Sequence, residues 1–208
     1  MSRNQMGLLL VVSGPAGVGK GTINAALLER HEDMRMSVSA TTRAPRPGEI
    51  DGVHYFFKTE EAFERMIAAG DFLEYTRVFD MNYYGTPKSF VLDEMEAGRS
   101  VILEIDVEGG MNVKRSFPDA VLIFIAPPSM SQLKERLIGR RTETPEQIER
   151  RFQTAFLEVE RAKAYDYVVI NNVLDVAVSR VEQILQAERC RCLRNQAFLN
   201  QLTGGKQL

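Results

Sequence analysis

An α/β fold is what the sequence predicts: a parallel sheet flanked by helices, carrying a small mixed α+β insertion and a short lid. Three observations predict it. Apolar runs of strand length recur at residues 8–13, 100–106, 120–126 and 167–171. Helical patterns separate them, the alternation that puts helices on both faces of a parallel sheet. Between residues 37 and 88 that rhythm breaks into short β-like segments around one helix.

Taken in order, residues 8–13 form a continuous apolar run and read as a buried strand. Residues 20–29 carry a helical pattern that leaves the glycine-rich turn behind that strand. In the insertion, β-like segments at 53–58 and 72–79 flank a helix over 60–69, with Thr59 placed to cap it and Ala62 at the box position. A strand over 100–106 and a short helix over 109–114 come next. The strand over 120–126 is ended by Pro127-Pro128, after which Ser129 or Ser131 can cap a helix over 131–138. A second insertion, 139–146, is polar and arginine-bearing. A helix over 145–162, a strand over 167–171, a long amphipathic helix over 174–199 and a frayed end from 203 complete the chain.

Bulk properties bound the function. With 208 residues the chain can bury one sizeable core plus a small insertion. At 44% hydrophobic and 26% charged residues, the balance is that of an ordinary globular protein. A net charge of −2 gives no electrostatic case for a nucleic-acid or membrane partner. No apolar stretch approaches a membrane span, and the apolar run behind Arg3 is too short for a signal peptide. Cys190 and Cys192 stand at i and i+2 of a helical pattern, where they diverge. Two reduced thiols and a cytoplasmic location are the expectation, and His31 and His54 lack ligand spacing.

The strongest local signal is Gly14-Pro15-Ala16-Gly17-Val18-Gly19-Lys20-Gly21-Thr22, strand before and helix after. That is the setting a P-loop needs. Glycines let the backbone curl until successive N–H groups face one point, and the helix N-terminus adds its positive end. Lys20 then brings a cation to the β/γ-phosphates, so the loop points to a nucleoside triphosphate. Gly21 stands where the plain pattern has a hydroxyl, which arrives one residue later at Thr22. A direct hydroxyl ligand to magnesium is therefore not assigned.

A second anion site is suggested by Ser39-Ala40-Thr41-Thr42-Arg43-Ala44-Pro45-Arg46-Pro47-Gly48-Glu49. Arginine forks match phosphate oxygens, and the prolines stiffen the segment that carries them.

With these segments on the page, the chain resembles the guanylate kinases. Further matching words are Gly52-Val53-His54-Tyr55-Phe56-Phe57, Phe72-Leu73-Glu74-Tyr75, Asn82-Tyr83-Tyr84-Gly85-Thr86 and Ile102-Leu103-Glu104-Ile105-Asp106-Val107-Glu108-Gly109. Ile125-Ala126-Pro127-Pro128-Ser129 and Arg136-Leu137-Ile138-Gly139-Arg140-Arg141-Thr142-Glu143 continue the match, which runs from about residue 8 to residue 191.

The resemblance implies a P-loop kinase core over 1–36 and 89–208, a lid at about 139–150 and a GMP-binding insertion over 37–88. It implies phosphoryl transfer from ATP to GMP with Mg2+. ATP would lie on Gly14, Pro15, Ala16, Gly17, Val18, Gly19, Lys20, Gly21 and Thr22, with Asn171 beside the adenine. The GMP phosphate would be held by Ser39, Arg43, Arg46, Tyr55 and Tyr84, with Glu49 also among the GMP-binding residues. Glu74 and Thr86 would read guanine, with Asp106 near the same nucleotide. Lys20, Arg43, Arg136, Arg140 and Arg151 would carry the catalytic charge. Thr22, Glu104 and Asp106 are the residues that could meet magnesium through water.

The chemistry agrees with that assignment at Glu74. Guanine offers an N1–H and an amino group side by side, and one carboxylate accepts both. Asp106 is expected to end its strand, where ligands of open α/β sheets gather, with Glu104 on the same face. Tyr83 and Tyr84 alternate, so one packs and the other faces the cleft. Three rival readings stay open: another phosphotransferase on this scaffold, a non-catalytic binding module using the same cleft, and a nucleic-acid-handling P-loop protein. Also open are the use of dGMP, the effect of Arg141 on the lid, and whether the helix over 174–199 covers the core or builds a homo-oligomer.

Overall fold

The computed structural model describes residues 6–78, 81–139, 144–202 and 204. Along the chain come β1 (Leu9–Ser13), α1 (Lys20–Arg30), β2 (Met34–Met36), β3 (Ala40–Thr41), β4 (Phe56–Phe57) and α2 (Glu60–Ala69). Then follow β5 (Phe72–Val78), β6 (Asn82–Pro87), α3 (Lys88–Glu96), β7 (Ser100–Glu104) and α4 (Val107–Ser116). The last are β8 (Val121–Ala126), α5 (Met130–Gly139), α6 (Pro145–Arg161), β9 (Tyr167–Ile170), α7 (Leu174–Arg189) and α8 (Gln196–Leu202). No described helix is long and apolar enough to cross a membrane.

Two sheets organise these elements. The larger has the order β2-β7-β1-β8-β9 and every pairing in it is parallel. β1 lies at its centre, so its apolar run must be covered on both faces. Leu10 and Val12 join a core with Ile23 and Leu27 of α1, Leu133 and Leu137 of α5, and Val178 and Val181 of α7. Leu9 and Val11 turn the other way, against Val91 and Met95 of α3 and Val113 of α4. Each fully buried Leu, Ile or Val contributes about 1.5–3 kcal/mol relative to exposure, so this double-faced strand anchors the loop that follows it.

The smaller sheet has the order β4-β3-β6-β5, with β3–β4 parallel and β3–β6 and β5–β6 antiparallel. Helix α2 packs on it through Phe63, which stacks on Phe72 at 4.4 Å and on Tyr83 at 5.1 Å between ring centroids. Tyr83 thus packs while Tyr84 faces the cleft, as alternation requires. Thr59 caps α2 by accepting from the Ala62 N–H at 3.2 Å.

Several local expectations need correction. The strand expected over 100–106 stops at Glu104, and Asp106 is the N-cap of α4, accepting from the Gly109 N–H at 2.7 Å. The single helix expected over 174–199 ends at Arg189; a 3₁₀ turn over Cys192–Asn195 and the separate α8 follow. The cause is a buried carboxylate. Glu188 accepts from the Tyr167 hydroxyl at 2.6 Å and from Arg191 and Arg194 at 3.3 and 3.2 Å, and reaching both guanidiniums turns the chain back. Strand β2 lacks any sequence signal beyond one buried methionine, Met34.

Candidate active site

The turn after β1 is built by backbone that only glycine tolerates cheaply. Gly14 has φ 151° and Gly19 has φ 97°. A Cβ on Gly14 would lie 2.3 Å from the Ile125 carbonyl oxygen, and one on Gly19 would lie 2.5 Å from Nδ2 of Asn171. Both positions are therefore closed to any side chain. Gly19 caps α1 without a side-chain partner, and the first turn of α1 holds no acidic residue. That leaves a helix N-terminus prepared for an anion.

Lys20 folds back over this turn and donates to the carbonyls of Gly14 at 2.5 Å and Pro15 at 3.3 Å. Two side chains brace the loop from outside. Asn171, buried just past β9, donates to the Val18 carbonyl at 2.8 Å. Arg136 of α5 donates to the same carbonyl at 3.4 Å and to the Asn171 carbonyl at 3.0 Å. Both were expected at the nucleotide; here both hold the loop's shape. Thr22 is exposed on α1.

Facing the loop is a cleft of about 220 Å³ lined by Ser39, Tyr55, Glu74, Thr76, Tyr84, Glu104 and Asp106. Arg43 stands beside the cleft, against the lining residue Tyr55. Its guanidinium lies 5.4 Å from the Tyr55 ring centroid and donates to both oxygens of Glu49, at 2.8 and 2.9 Å. The pair holds the Glu49 carboxyl below the usual range, mainly through the Arg43 hydrogen bond. Glu49 also accepts the Arg46 backbone N–H at 2.7 Å, while the Arg46 side chain stays exposed. Glu49, expected at GMP, is thus the residue that aims Arg43.

Glu74, in the lining of the cleft, is buried, with 8% of its surface exposed. The Thr86 hydroxyl donates to its Oε1 at 2.8 Å. Burial first, and then the nearby Asp106 charge, raise the Glu74 pKa to about 7 against the pull of Thr86. A carboxylate this costly to ionise calls for donors in addition to Thr86. Glu104 accepts from Asn24 Nδ2 at 2.8 Å and reaches toward Gly21, on the phosphate side of the cleft.

A polar stripe of α6 overhangs the loop: Gln147, Arg150, Arg151, Thr154 and Glu158 line one cavity with Ala16. The expected Arg151 is therefore brought to the loop, whereas Arg140 and Arg141 lie outside the described residues. Sequence reasoning missed Glu158, whose pKa burial raises while Lys20 pulls it down. Its spacing from Gln147, Arg151 and Thr154 along one helix face was the available signal. It also missed Tyr165, which donates to the Ser13 hydroxyl at 2.8 Å; Ser13 donates in turn to the Asp106 carbonyl at 3.3 Å. Burial pushes the Tyr165 hydroxyl up to about 12, so it stays a donor.

Comparison with known proteins agrees with this architecture. The family model described as Guanylate kinase matches residues 6–188. A guanylate kinase of Caldanaerobacter subterraneus subsp. tengcongensis is 52% identical over 195 residues, 94% of each chain. One from Halalkalibacterium halodurans is 49% identical over 187 residues, 90% of this chain and 91% of that one. The crystal structure of guanylate kinase from Anaplasma phagocytophilum superposes with a TM-score of 0.75 at 32% identity, covering 99% of both chains. A loop shaped for phosphates, a cleft ending in an incomplete carboxylate, and a match along most of its length lead to one statement: this chain belongs to the guanylate kinase family.

Proposed function

We infer that the chain transfers the γ-phosphoryl group of ATP to GMP, giving ADP and GDP. The observation that carries the reading is Glu74, a buried carboxylate in the lining of the cleft. Guanine's N1–H and amino group are the paired donors it lacks; adenine brings no N1–H and would leave it incomplete.

The residues then divide the work. The loop amides from Gly14 to Thr22 and Lys20 cradle the triphosphate. Lys20 gives up the Gly14 and Pro15 carbonyls to do so. Arg43 and Arg46, with Ser39, Tyr55 and Tyr84, neutralise the GMP phosphate, which would otherwise repel ATP. For Arg43 this means exchanging the Glu49 carboxylate for phosphate oxygens. A GMP phosphate oxygen attacks the γ-phosphorus in line. The new O–P bond forms as the bond to the β–γ bridging oxygen breaks, and ADP leaves with that electron pair. Charge spread over the moving group is met by Lys20, Arg136, Arg140 and Arg151, so catalysis is positioning and electrostatics. Closure of the lid, about 139–150, over the insertion, 37–88, excludes water as a competing acceptor.

Among the described residues no group of three or more His, Cys, Asp or Glu forms a metal cage. Magnesium keeps several waters and takes ligands from substrate phosphates. Glu104 and Asp106 would hold those waters, with Thr22 at the loop. Bound there, magnesium supplies charge neutralisation between the phosphates. Free, exposed Cys190 and Cys192 accord with a reducing cytoplasm.

The test is ADP formation from Mg-ATP with GMP, dGMP, AMP, CMP and UMP offered separately. Turnover confined to guanine acceptors is the expected result. Turnover with AMP in place of GMP would keep the fold and remove the role of Glu74.

A pH effect follows from Glu74. Its raised pKa means the neutral carboxyl favours the empty fold. That stabilising contribution is full below about pH 4.5 and is lost as pH rises through about 7. Guanine's donors favour the ionised form, so GMP binding must expel the proton. Calorimetry at pH 7 in buffers of different ionisation enthalpy should show about half a proton released per GMP, vanishing by about pH 9. Heats independent of buffer at pH 7 would contradict it.

A further inference from the structure

Three parts of the site meet at one buried hydroxyl. Ser13, fully buried at the end of β1, is the residue before Gly14, where the phosphate loop begins. Its Oγ donates to the Asp106 carbonyl at 3.3 Å. Asp106 lines the cleft and is held at its side chain as well, where the carboxylate accepts from the Gly109 N–H at 2.7 Å. The third part arrives through Tyr165, whose hydroxyl donates to Ser13 Oγ at 2.8 Å and has the Val107 carbonyl at 3.3 Å.

Tyr165 is the root of the helix that overhangs the loop. Of the 17 residues of α6 only Ala155 is buried, so little apolar packing fixes this helix. A 3₁₀ turn over Ala162–Ala164 follows α6, and Tyr165 stands directly after it. Its ring meets that of Phe124 in β8 edge-on, centroids 6.0 Å apart. Space for the hydroxyl comes from Gly110 in the first turn of α4, where a Cβ would collide with it. Phenylalanine would serve the packing alone. Ser13 gives its own proton to Asp106, and the lone pair left on its Oγ takes the proton of Tyr165.

We propose that Tyr165 is a positioning residue: through Ser13 its hydroxyl ties the root of α6, the start of the phosphate loop and Asp106 to one point, and so aligns donor, acceptor and the arginine-bearing helix for in-line transfer. The assignment rests on the GMP reading of the site. Misplacement of reacting groups by a fraction of an ångström slows transfer steeply. A loosened α6 also admits water. A water oxygen then bonds to the γ-phosphorus as the bond to the β–γ bridging oxygen breaks, and ADP and inorganic phosphate form without GDP.

Tyr165→Phe removes the hydroxyl and keeps the ring; Ser13→Ala removes the relay. With the full chain, Mg-ATP and GMP, ADP and GDP are counted separately by chromatography at early times. Wild type should form them nearly one to one. Tyr165→Phe should lower kcat about tenfold, leave KM for both substrates within about twofold, and raise the excess of ADP over GDP about tenfold. That excess is a ratio of products, so it does not depend on how much of a variant folds. Both substitutions cut one chain, so the double variant should be no slower than the slower single. A Phe variant with wild-type kcat, a slower one that keeps the wild-type product ratio, or single effects that multiply in the double variant overturns the proposal. Wild-type protein that forms no GDP overturns the GMP reading itself, so the two failures are distinguishable.

Discussion

Replacing Glu74 with glutamine is expected to lower kcat/KM for GMP about a thousandfold or more, with KM for ATP changed by no more than about twofold. The substitution is nearly isosteric, so the loss is chemical. A carboxylate accepts from both guanine donors; an amide turns one of its own donors toward them. Hydrogen-bonding sites reject mismatched partners this strongly because the orphaned groups are buried. The fold should not suffer. Glu74 ionises against its environment, at about 7, so near pH 8 the neutral glutamine removes a cost and the melting temperature should hold or rise. Equal losses in GMP and ATP kinetics would place Glu74 in the scaffold and not at the base.

Lys20→Ala should reduce single-turnover ADP formation about a thousandfold or more, the scale on which one well-placed cation acts in phosphoryl transfer. Its amine donates to the Gly14 and Pro15 carbonyls, and phosphate binding is expected to draw it off them. The variant leaves those carbonyls to solvent, so stability should change little, and ATP binding by calorimetry should weaken without disappearing. A rate within tenfold of wild type would mean that the loop amides suffice alone.

The parts of this molecule that sequence makes legible are those set by local rules. Gly14 and Gly19 announce a turn because no other residue fits their φ and their neighbours. Thr59 announces α2 because a cap and the N–H it accepts, here that of Ala62, are only three residues apart. Glu74 was legible through a resemblance and through guanine's chemistry together. What stayed hidden depends on distant partners. Periodicity continues past Arg189, but Glu188 needs Arg191, Arg194 and Tyr167 at once, and that ends α7. Strand β2 exists because β7 offers it an edge, with Met34 opposite Ser100. Asp106 looked like a strand end because its apolar neighbours run on; the Gly109 N–H makes it a cap instead. Nothing local reveals that Asn171 and Arg136 brace the loop through the Val18 carbonyl.

That shared carbonyl gives α5 a mechanical role. Arg136 ties the helix leading into the arginine-bearing segment to the tip of the loop, and Asn171 ties the same point to the end of β9. Any tilt of α5 pulls on Val18, one residue before Gly19 and two before Lys20. The position of α5 and the shape of the loop are thus linked through a single oxygen atom. An Arg136 variant would slacken that link as well as remove a charge, and its kinetics would report the two together.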